Sequence, residues 1–288
     1  MKVLVKSLSV SLLMLAASTQ AKSQLTVDVY NADSNSFTVN SSIVYGDKQA
    51  IVVDSGFTNA DALRIAAKVY DSGKELTTIF ISQADPDYYF GAQLLQQLFP
   101  NAKLITPEAV AQVIAKNRLN KIAFWGPKMG SNTPANPIVP KGYSLQTLQL
   151  EGHEIQIRMQ AGVLAHRPYL WIPANKTILG NVAVSAGHHV WMADTQSQQS
   201  IDAWLKQLNE MKALEPAMVI PGHMEAGSAL DASAIDFTFN YITAFVKAKQ
   251  HSHNSQEVIA KMVTLYPEFT DTSSLELGAK VHMGEMIW

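Results

Sequence analysis

The stretch that decides the fold covers residues 78–91 and reads TIFISQADPDYYFG. A buried apolar strand ends there, and polar side chains follow at alternate positions, Gln83, Asp85 and Asp87. Alternate side chains of an extended segment project to the same side, so these three are expected to converge on one point. Either aspartate could instead cap the helix that follows, with Pro86 rigidifying the turn. The segment therefore predicts a site at a strand end or a capped helix start.

Strands and helices alternate on both sides of this segment. Apolar and β-branched runs predict strands over 36–44, 50–53, 76–82, 103–106, 145–150, 154–159, 169–172, 177–179 and 217–220. Helical spacing predicts helices over 58–70, 90–98, 107–116, 201–214, 234–249, 257–266 and 274–283. This order in two successive halves predicts two mixed sheets packed face to face with helices outside, in one domain over 22–288 whose C-terminal helices occupy about 231–288.

One internal segment lacks a regular pattern. Residues 125–143 carry four prolines and three glycines. Those residues interrupt helices and strands, so the segment is predicted to be a loop or a lid.

The N-terminus has the pattern of a secretory signal peptide. Lys2 and Lys6 precede a largely apolar run over 8–17, and a small and polar stretch ends at Ala21. The run is too short to span a bilayer, and no later stretch is long and apolar enough to do so. We expect residues 1–21 to be removed near Ala21 and the protein to be exported, to the periplasm in a Gram-negative host.

Composition excludes several classes of site and partner. The chain of 288 residues has no cysteine, so disulfides, cysteine-bound zinc, iron–sulfur clusters and thiolate nucleophiles are excluded. A formal net charge of −2 provides no positive field for nucleic acid. A small molecule is the expected partner.

Several motifs resemble those of the metallo-β-lactamase superfamily, in the same order and at similar spacing. The segment 83–91 is similar to its His-x-His-x-Asp-His motif and following Gly, 52–56 to its hydrophobic-Asp-Thr-Gly turn, 178–181 to its Gly-Asp strand end, and 219–223 to its Pro-Gly-His. The resemblance implies an αββα sandwich, a four-layer fold. It also implies a hydrolase-like protein.

The metal-binding motif of the superfamily is altered in this chain. In the residue-by-residue alignment that the resemblance implies, Gln83 and Asp85 stand at the first two histidine positions of this motif, and Tyr88 stands at its last histidine position. The third metal-binding His falls near Gly162 or Val163, and the bridging Asp corresponds to Asn181, so only Asp87 and His223 are retained. Neutral amide oxygens are weak donors to zinc, and a tyrosine would have to ionise with an ordinary pKa of about 10.

The resemblance with these changes implies one divalent metal ion at most, zinc or another, or none. Asp85, Asp87 and His223 are the candidate ligands, with Gln83, Tyr88 and Asn181 as further candidates. A water on such an ion could be acidified for attack. Asp87 and His223 are therefore also the candidate catalytic residues.

Other residues near the motif are assigned to a substrate pocket or to the surface. Tyr89, His189 and Trp191 are candidate pocket residues, whereas His166 is expected on the surface. Four further histidines are expected to be solvated, namely His153, His251, His253 and His282.

Two functions remain open. The first is a metal-dependent hydrolase of an ester, lactone, amide or phosphoester with an altered, mononuclear site. The alternative is a non-catalytic binding protein that has lost the zinc centre.

Overall fold

A computed structural model describes residues 24–288, so the predicted signal peptide lies outside the described residues. The first sheet contains β1 (Thr26–Asn31), β2 (Asn40–Tyr45), β3 (Gln49–Val53), β4 (Glu75–Phe80), β5 (Lys103–Pro107) and β6 (Lys141–Tyr143), in that order. Strands β1, β2 and β3 pair antiparallel, and β3 through β6 pair parallel.

The second half of the chain forms two further sheets. Its strands are β7 (Thr147–Leu150), β8 (His153–Arg158), β9 (Tyr169–Ile172), β10 (Thr177–Leu179), β11 (Ser185–Ala186), β12 (Met218–Val219) and β13 (His223–Met224). The larger sheet has the order β12-β10-β9-β8-β7, and β11 pairs with β13 in a two-stranded parallel sheet.

Helices cover the outer faces of the sheets. They are α1 (Asn59–Ser72), α2 (Pro86–Tyr89), α3 (Ala92–Leu98), α4 (Glu108–Met129), α5 (Gln198–Ala213), α6 (Ser233–Gln250), α7 (Ser255–Leu265) and α8 (Ser273–His282). Among the described residues, no helix is both long and apolar enough to cross a membrane.

Three apolar clusters hold the layers together. One contains Val53 and Phe80 of the first sheet with Leu170 of the second, so it lies between the sheets. Another joins the first sheet to α1, α3 and α4, and a third joins the second sheet to α5 through α8. Helix, sheet, sheet and helix are therefore stacked in that order, and the predicted αββα fold is confirmed.

Helix α1 shows how closely local sequence can define an element. Thr58 accepts a hydrogen bond from the Asp61 amide, and the Asp61 carboxylate accepts one from the Thr58 amide, which makes a capping box. The helix ends at Gly73, whose φ of 66° suits glycine. The predicted helix over 58–70 matches this element closely.

The loop prediction for 125–143 is wrong at its start, because α4 continues to Met129. Pro127 stands in the last turn of that helix, where it interrupts little of the hydrogen-bond ladder. The Thr133 hydroxyl donates to the carbonyl oxygens of Gly126 and Gly130 at 2.8 and 2.7 Å and so satisfies carbonyls at the helix end. Beyond Gly130 the segment is largely irregular, as predicted.

Other elements differ from the sequence prediction. Strand β1 has no predicted counterpart, and the predicted strand over 36–44 begins only at Asn40, since Phe37 and Thr38 have left-handed φ values of 58° and 53°. The expectation that His153 and His282 are solvated is wrong, because both are buried, His153 in β8 and His282 in α8, where its ring packs edge-on against Phe245 of α6. His282 Nε2 lies 3.0 Å from the Met192 carbonyl oxygen.

Candidate ligand-binding cavity

A cavity of about 260 Å³ lies where several strand ends and loops meet. Asp85 and Asp87 follow β4, His188 follows β11, and His223 begins β13; all four side chains line it. Sites are commonly built on such loops because a rigid sheet positions them.

The loop after β4 is fixed by a buried turn after β3. The Asp54 amide donates to the Phe80 carbonyl at 2.8 Å, and the Asp54 carboxyl accepts from both the amide and the hydroxyl of Ser82 at 2.7 Å. The Ser55 amide and hydroxyl donate to the Tyr88 carbonyl. Burial raises the pKa of Asp54 to about 7, although the hydrogen bonds from Ser82 oppose the shift.

Asp87 and His223 form the central contact of the cavity. The Asp87 Oδ2 atom lies 3.3 Å from His223 Nε2. His223 Nδ1 lies 2.8 Å from the Phe37 carbonyl oxygen, which can only accept, so Nδ1 carries the hydrogen. The neutral imidazole therefore presents its Nε2 lone pair to Asp87.

Electrostatics at this contact favour the neutral form of both groups. Burial lowers the pKa of His223 to about 4. Burial, and then the nearby charge of Asp85, raise the pKa of Asp87 well above its ordinary value. Both shifts oppose a charged ion pair at this contact.

The side chains of three other motif residues hydrogen-bond to the backbone. Gln83 Nε2 donates to the Pro168 carbonyl at 2.8 Å, and the Tyr88 hydroxyl donates to the Asn181 carbonyl at 3.1 Å. The Asn181 amide donates to the Ile220 carbonyl and accepts from the Val184 amide. All three side chains are almost fully buried and do not line the cavity.

Gly222 is required where these segments cross. A Cβ atom there would lie 2.1 Å from the Asn181 carbonyl oxygen and 2.5 Å from the Tyr88 hydroxyl oxygen. Glycine therefore lets β13 approach closely enough for His223 to reach Asp87.

A family model described as the metallo-beta-lactamase superfamily matches residues 35–157 of the chain. The chain has a metallo-β-lactamase fold. The predicted resemblance is confirmed.

Solved structures agree on the fold. A beta-lactamase domain protein from Burkholderia ambifaria is 13% identical with a TM-score of 0.64, over 90% of this chain and 85% of that one. A metallo-beta-lactamase family protein from Thermus thermophilus is 14% identical with a TM-score of 0.61, over 90% and 91%. A metallo-beta-lactamase from Pontibacter korlensis is 14% identical with a TM-score of 0.55, over 78% and 97%. No curated protein matches in sequence.

The donor set does not fit the metal centre that a metallo-β-lactamase fold usually carries. Gln83, Tyr88 and Asn181 are committed to internal hydrogen bonds, and burial followed by the charge of Asp87 raises the pKa of the Tyr88 phenol well above its ordinary value. Within residues 24–288, no group of three or more histidine or acidic side chains is placed to hold an ion. Asp87 and His223 contact each other, and two donors are fewer than zinc requires.

Two of the three candidate pocket residues line the cavity, and the third does not. His189 and Trp191 line the cavity, whereas Tyr89 is fully buried outside it. His189 Nδ1 lies 2.9 Å from the Tyr241 hydroxyl oxygen, which fixes the ring. His166 is half-buried, and burial, then Arg167, lower its pKa.

Several lining residues were missed in the sequence, including two charged residues and a tryptophan. Asp194, Arg167 and Trp288 line the cavity and come from distant segments without a recognisable motif. The Asp194 carboxylate accepts hydrogen bonds from the indole nitrogens of Trp191 at 2.7 Å and Trp288 at 2.6 Å. An aspartate shortly after a tryptophan in a loop carries no signal of such a contact in the sequence alone.

Proposed function

We propose that this protein is an exported, non-catalytic binding protein that holds a small molecule in the cavity beside Asp87 and His223. One observation carries the proposal: the side chains of Gln83, Tyr88 and Asn181 donate to backbone carbonyls and do not line the cavity, while the cavity itself stays open. A pocket with apolar walls and a few polar groups is the usual form of a small-molecule site.

The state of the Asp87–His223 contact supports the same function. His223 Nε2 faces the Asp87 carboxyl at 3.3 Å and Nδ1 faces the Phe37 carbonyl, so an ion could bind Nε2 only by breaking the contact with Asp87. The His223 side chain keeps 18% of its surface exposed, so a ligand in the cavity can contact its ring.

A hydrolase is the second candidate, acting on an ester, lactone, amide or phosphoester. It is favoured by the superfamily resemblance and by a carboxyl and an imidazole within hydrogen-bond reach at a cavity wall. Groups in that relation are used for acid–base catalysis.

Activity measurements separate the two candidates. We would assay the full chain against esters, lactones, amides and phosphoesters with zinc, manganese or iron added, beside Asp87→Asn and His223→Gln. We expect no turnover that either substitution removes. Turnover lost in both variants, with their melting temperatures unchanged, would establish the hydrolase instead.

Export has its own test. The protein would be expressed from its full gene in a Gram-negative host and recovered from the periplasmic fraction. We expect an N-terminal sequence that begins near residue 22. Retention of residues 1–21 in the cytosolic fraction would contradict export.

A further inference from the structure

We propose that the ligand of this cavity is an organic cation with an apolar body, held between carboxylates and indole rings. The inference rests on the proposed binding function and names the chemical class of the ligand. It follows from the charge, the unpaired carboxylate and the aromatic surface of the lining.

Acidic side chains outnumber basic ones in the lining. The basic groups are Lys121 and Arg167, and the Arg167 guanidinium donates to the Thr195 hydroxyl at 2.7 Å. The acidic residues are Asp85, Asp87, Asp194, Glu225 and Asp271. Five acidic side chains against two basic ones give the lining an excess of acidic groups, which favours a cation.

Asp85 is the carboxylate best placed to receive it. Its side chain does not cap α2, and within residues 24–288 it has no hydrogen-bond or ion-pair partner. A partly buried carboxylate without a partner is costly to keep in a folded protein. A bound ammonium group would provide that partner.

Aromatic rings form much of the remaining wall. Trp191 and Trp288 lie with ring centroids 5.5 Å apart, and both donate to the Asp194 carboxylate, so one anionic group stands between two indoles. Phe37, Phe57 and Trp125 also line the cavity and contact one another. Indole faces attract cations and also bind apolar groups.

The aromatic wall already accepts a cation on its outer side. The Lys128 ammonium lies 4.6 Å from the centroid of the Trp125 ring and 3.5 Å from that of Phe124. A ligand that combines a positive head with an apolar body would use both features of the wall. A neutral ligand would offer Asp85 at most a hydrogen bond without a compensating charge, and an anionic ligand would be repelled by it.

Three probes with one apolar body test the inference. Phenylbutylammonium, phenylbutanol and phenylbutyrate would be titrated into the full chain by calorimetry at pH 7 and low salt. We expect the ammonium probe to bind at least about tenfold more tightly than the alcohol, and the carboxylate to bind most weakly. The preference should fall as salt is added, since exposed charges are screened.

Matched substitutions locate the effect. Asp85→Asn and Asp194→Asn should each weaken binding of the ammonium probe about tenfold and leave the affinity for the alcohol unchanged. Asp71→Asn is the control, because Asp71 is exposed on α1 and does not line the cavity. Melting curves of each variant would show that it is folded.

The outcomes separate this inference from the proposed function. Equal or tighter binding of the alcohol or the carboxylate would overturn the cation as ligand and leave a binding protein. Failure of all three probes would also overturn it. Turnover lost in Asp87→Asn and His223→Gln would overturn the binding function itself.

Discussion

Asp61 supports one wall of the cavity, and its removal is a sensitive test of the structure. Its buried carboxylate accepts hydrogen bonds from the Tyr30 hydroxyl at 2.6 Å, the Ser36 hydroxyl at 2.7 Å, and the Thr58 hydroxyl and amide at 2.7 and 2.9 Å. These contacts join β1, the turn before β2 and the start of α1. They also border Phe57, which lines the cavity.

The magnitude follows from what the substitution leaves behind. Asp61→Ala removes an ionised acceptor from four donors, and breaking such a buried charged network costs about 3–5 kcal/mol. Asp61→Asn keeps one acceptor oxygen but replaces the other with an NH₂ group, which faces side chains that are themselves donors. We therefore expect it to lower the free energy of unfolding by about half as much as Asp61→Ala. The Arg64 ion pair adds little because its guanidinium is 57% exposed.

The pH dependence has a definite sign. Burial alone would raise the pKa of Asp61, but the hydrogen bonds from Ser36, Tyr30 and Thr58 outweigh it and hold the pKa below its ordinary value. The ionised form is therefore favoured in the folded protein. Its contribution to stability is present above the unfolded pKa of about 3.9 and is lost as the pH falls below that value.

Urea unfolding at pH 7 and at pH 3, followed by tryptophan fluorescence, measures both effects. Arg64→Ala is the control, since it perturbs the exposed partner alone. A loss below about 1 kcal/mol in Asp61→Ala at pH 7 would refute the network as described.

Three further predictions concern groups around the site. Asp54→Asn should flatten the pH dependence of stability between about pH 4 and 7. The raised pKa of about 7 makes Asp54 stabilising below pH 4, and this contribution falls by up to about 4 kcal/mol as the pH rises to 7. Urea unfolding of both proteins across that range measures the effect, and an unchanged pH dependence in the variant would contradict it. Asp85→Asn should raise the free energy of unfolding at pH 7 by about 1 kcal/mol, because burial, and then the charge of Asp194, raise its pKa; a loss of stability would contradict this. Trp288→Ala should weaken phenylbutylammonium several-fold while changing stability by less than about 1 kcal/mol, since the side chain is 42% exposed; unchanged affinity by calorimetry would remove Trp288 from the site.

Much of the fold was predictable because local signals and motif order agreed. The Thr58 cap and the apolar spacing of α1 were sufficient for that helix. The extension of α4 was missed because it depends on the Thr133 hydroxyl, which returns to the helix end from outside it. Strand β1 was missed because its pairing with β2 is a tertiary contact.

The site was only partly predictable. The contact of Asp87 with His223 follows the motif, but the expected convergence of Gln83, Asp85 and Asp87 fails at Gln83. Alternation requires an extended chain, whereas α2 begins at Pro86 and turns the later residues away from Gln83. The contact of Asp194 with Trp288 joins residues 94 positions apart, which no local pattern encodes.

Zinc binding tests the central claim most directly. The purified full chain, stripped with a chelator, would be titrated with zinc at pH 7 by calorimetry, beside Asp87→Ala and His223→Ala. We expect no stoichiometric zinc binding that these substitutions remove, because Asp87 and His223 contact each other and Gln83, Tyr88 and Asn181 are committed to backbone carbonyls. About one equivalent of zinc bound with micromolar or tighter affinity, and lost in both variants, would contradict it.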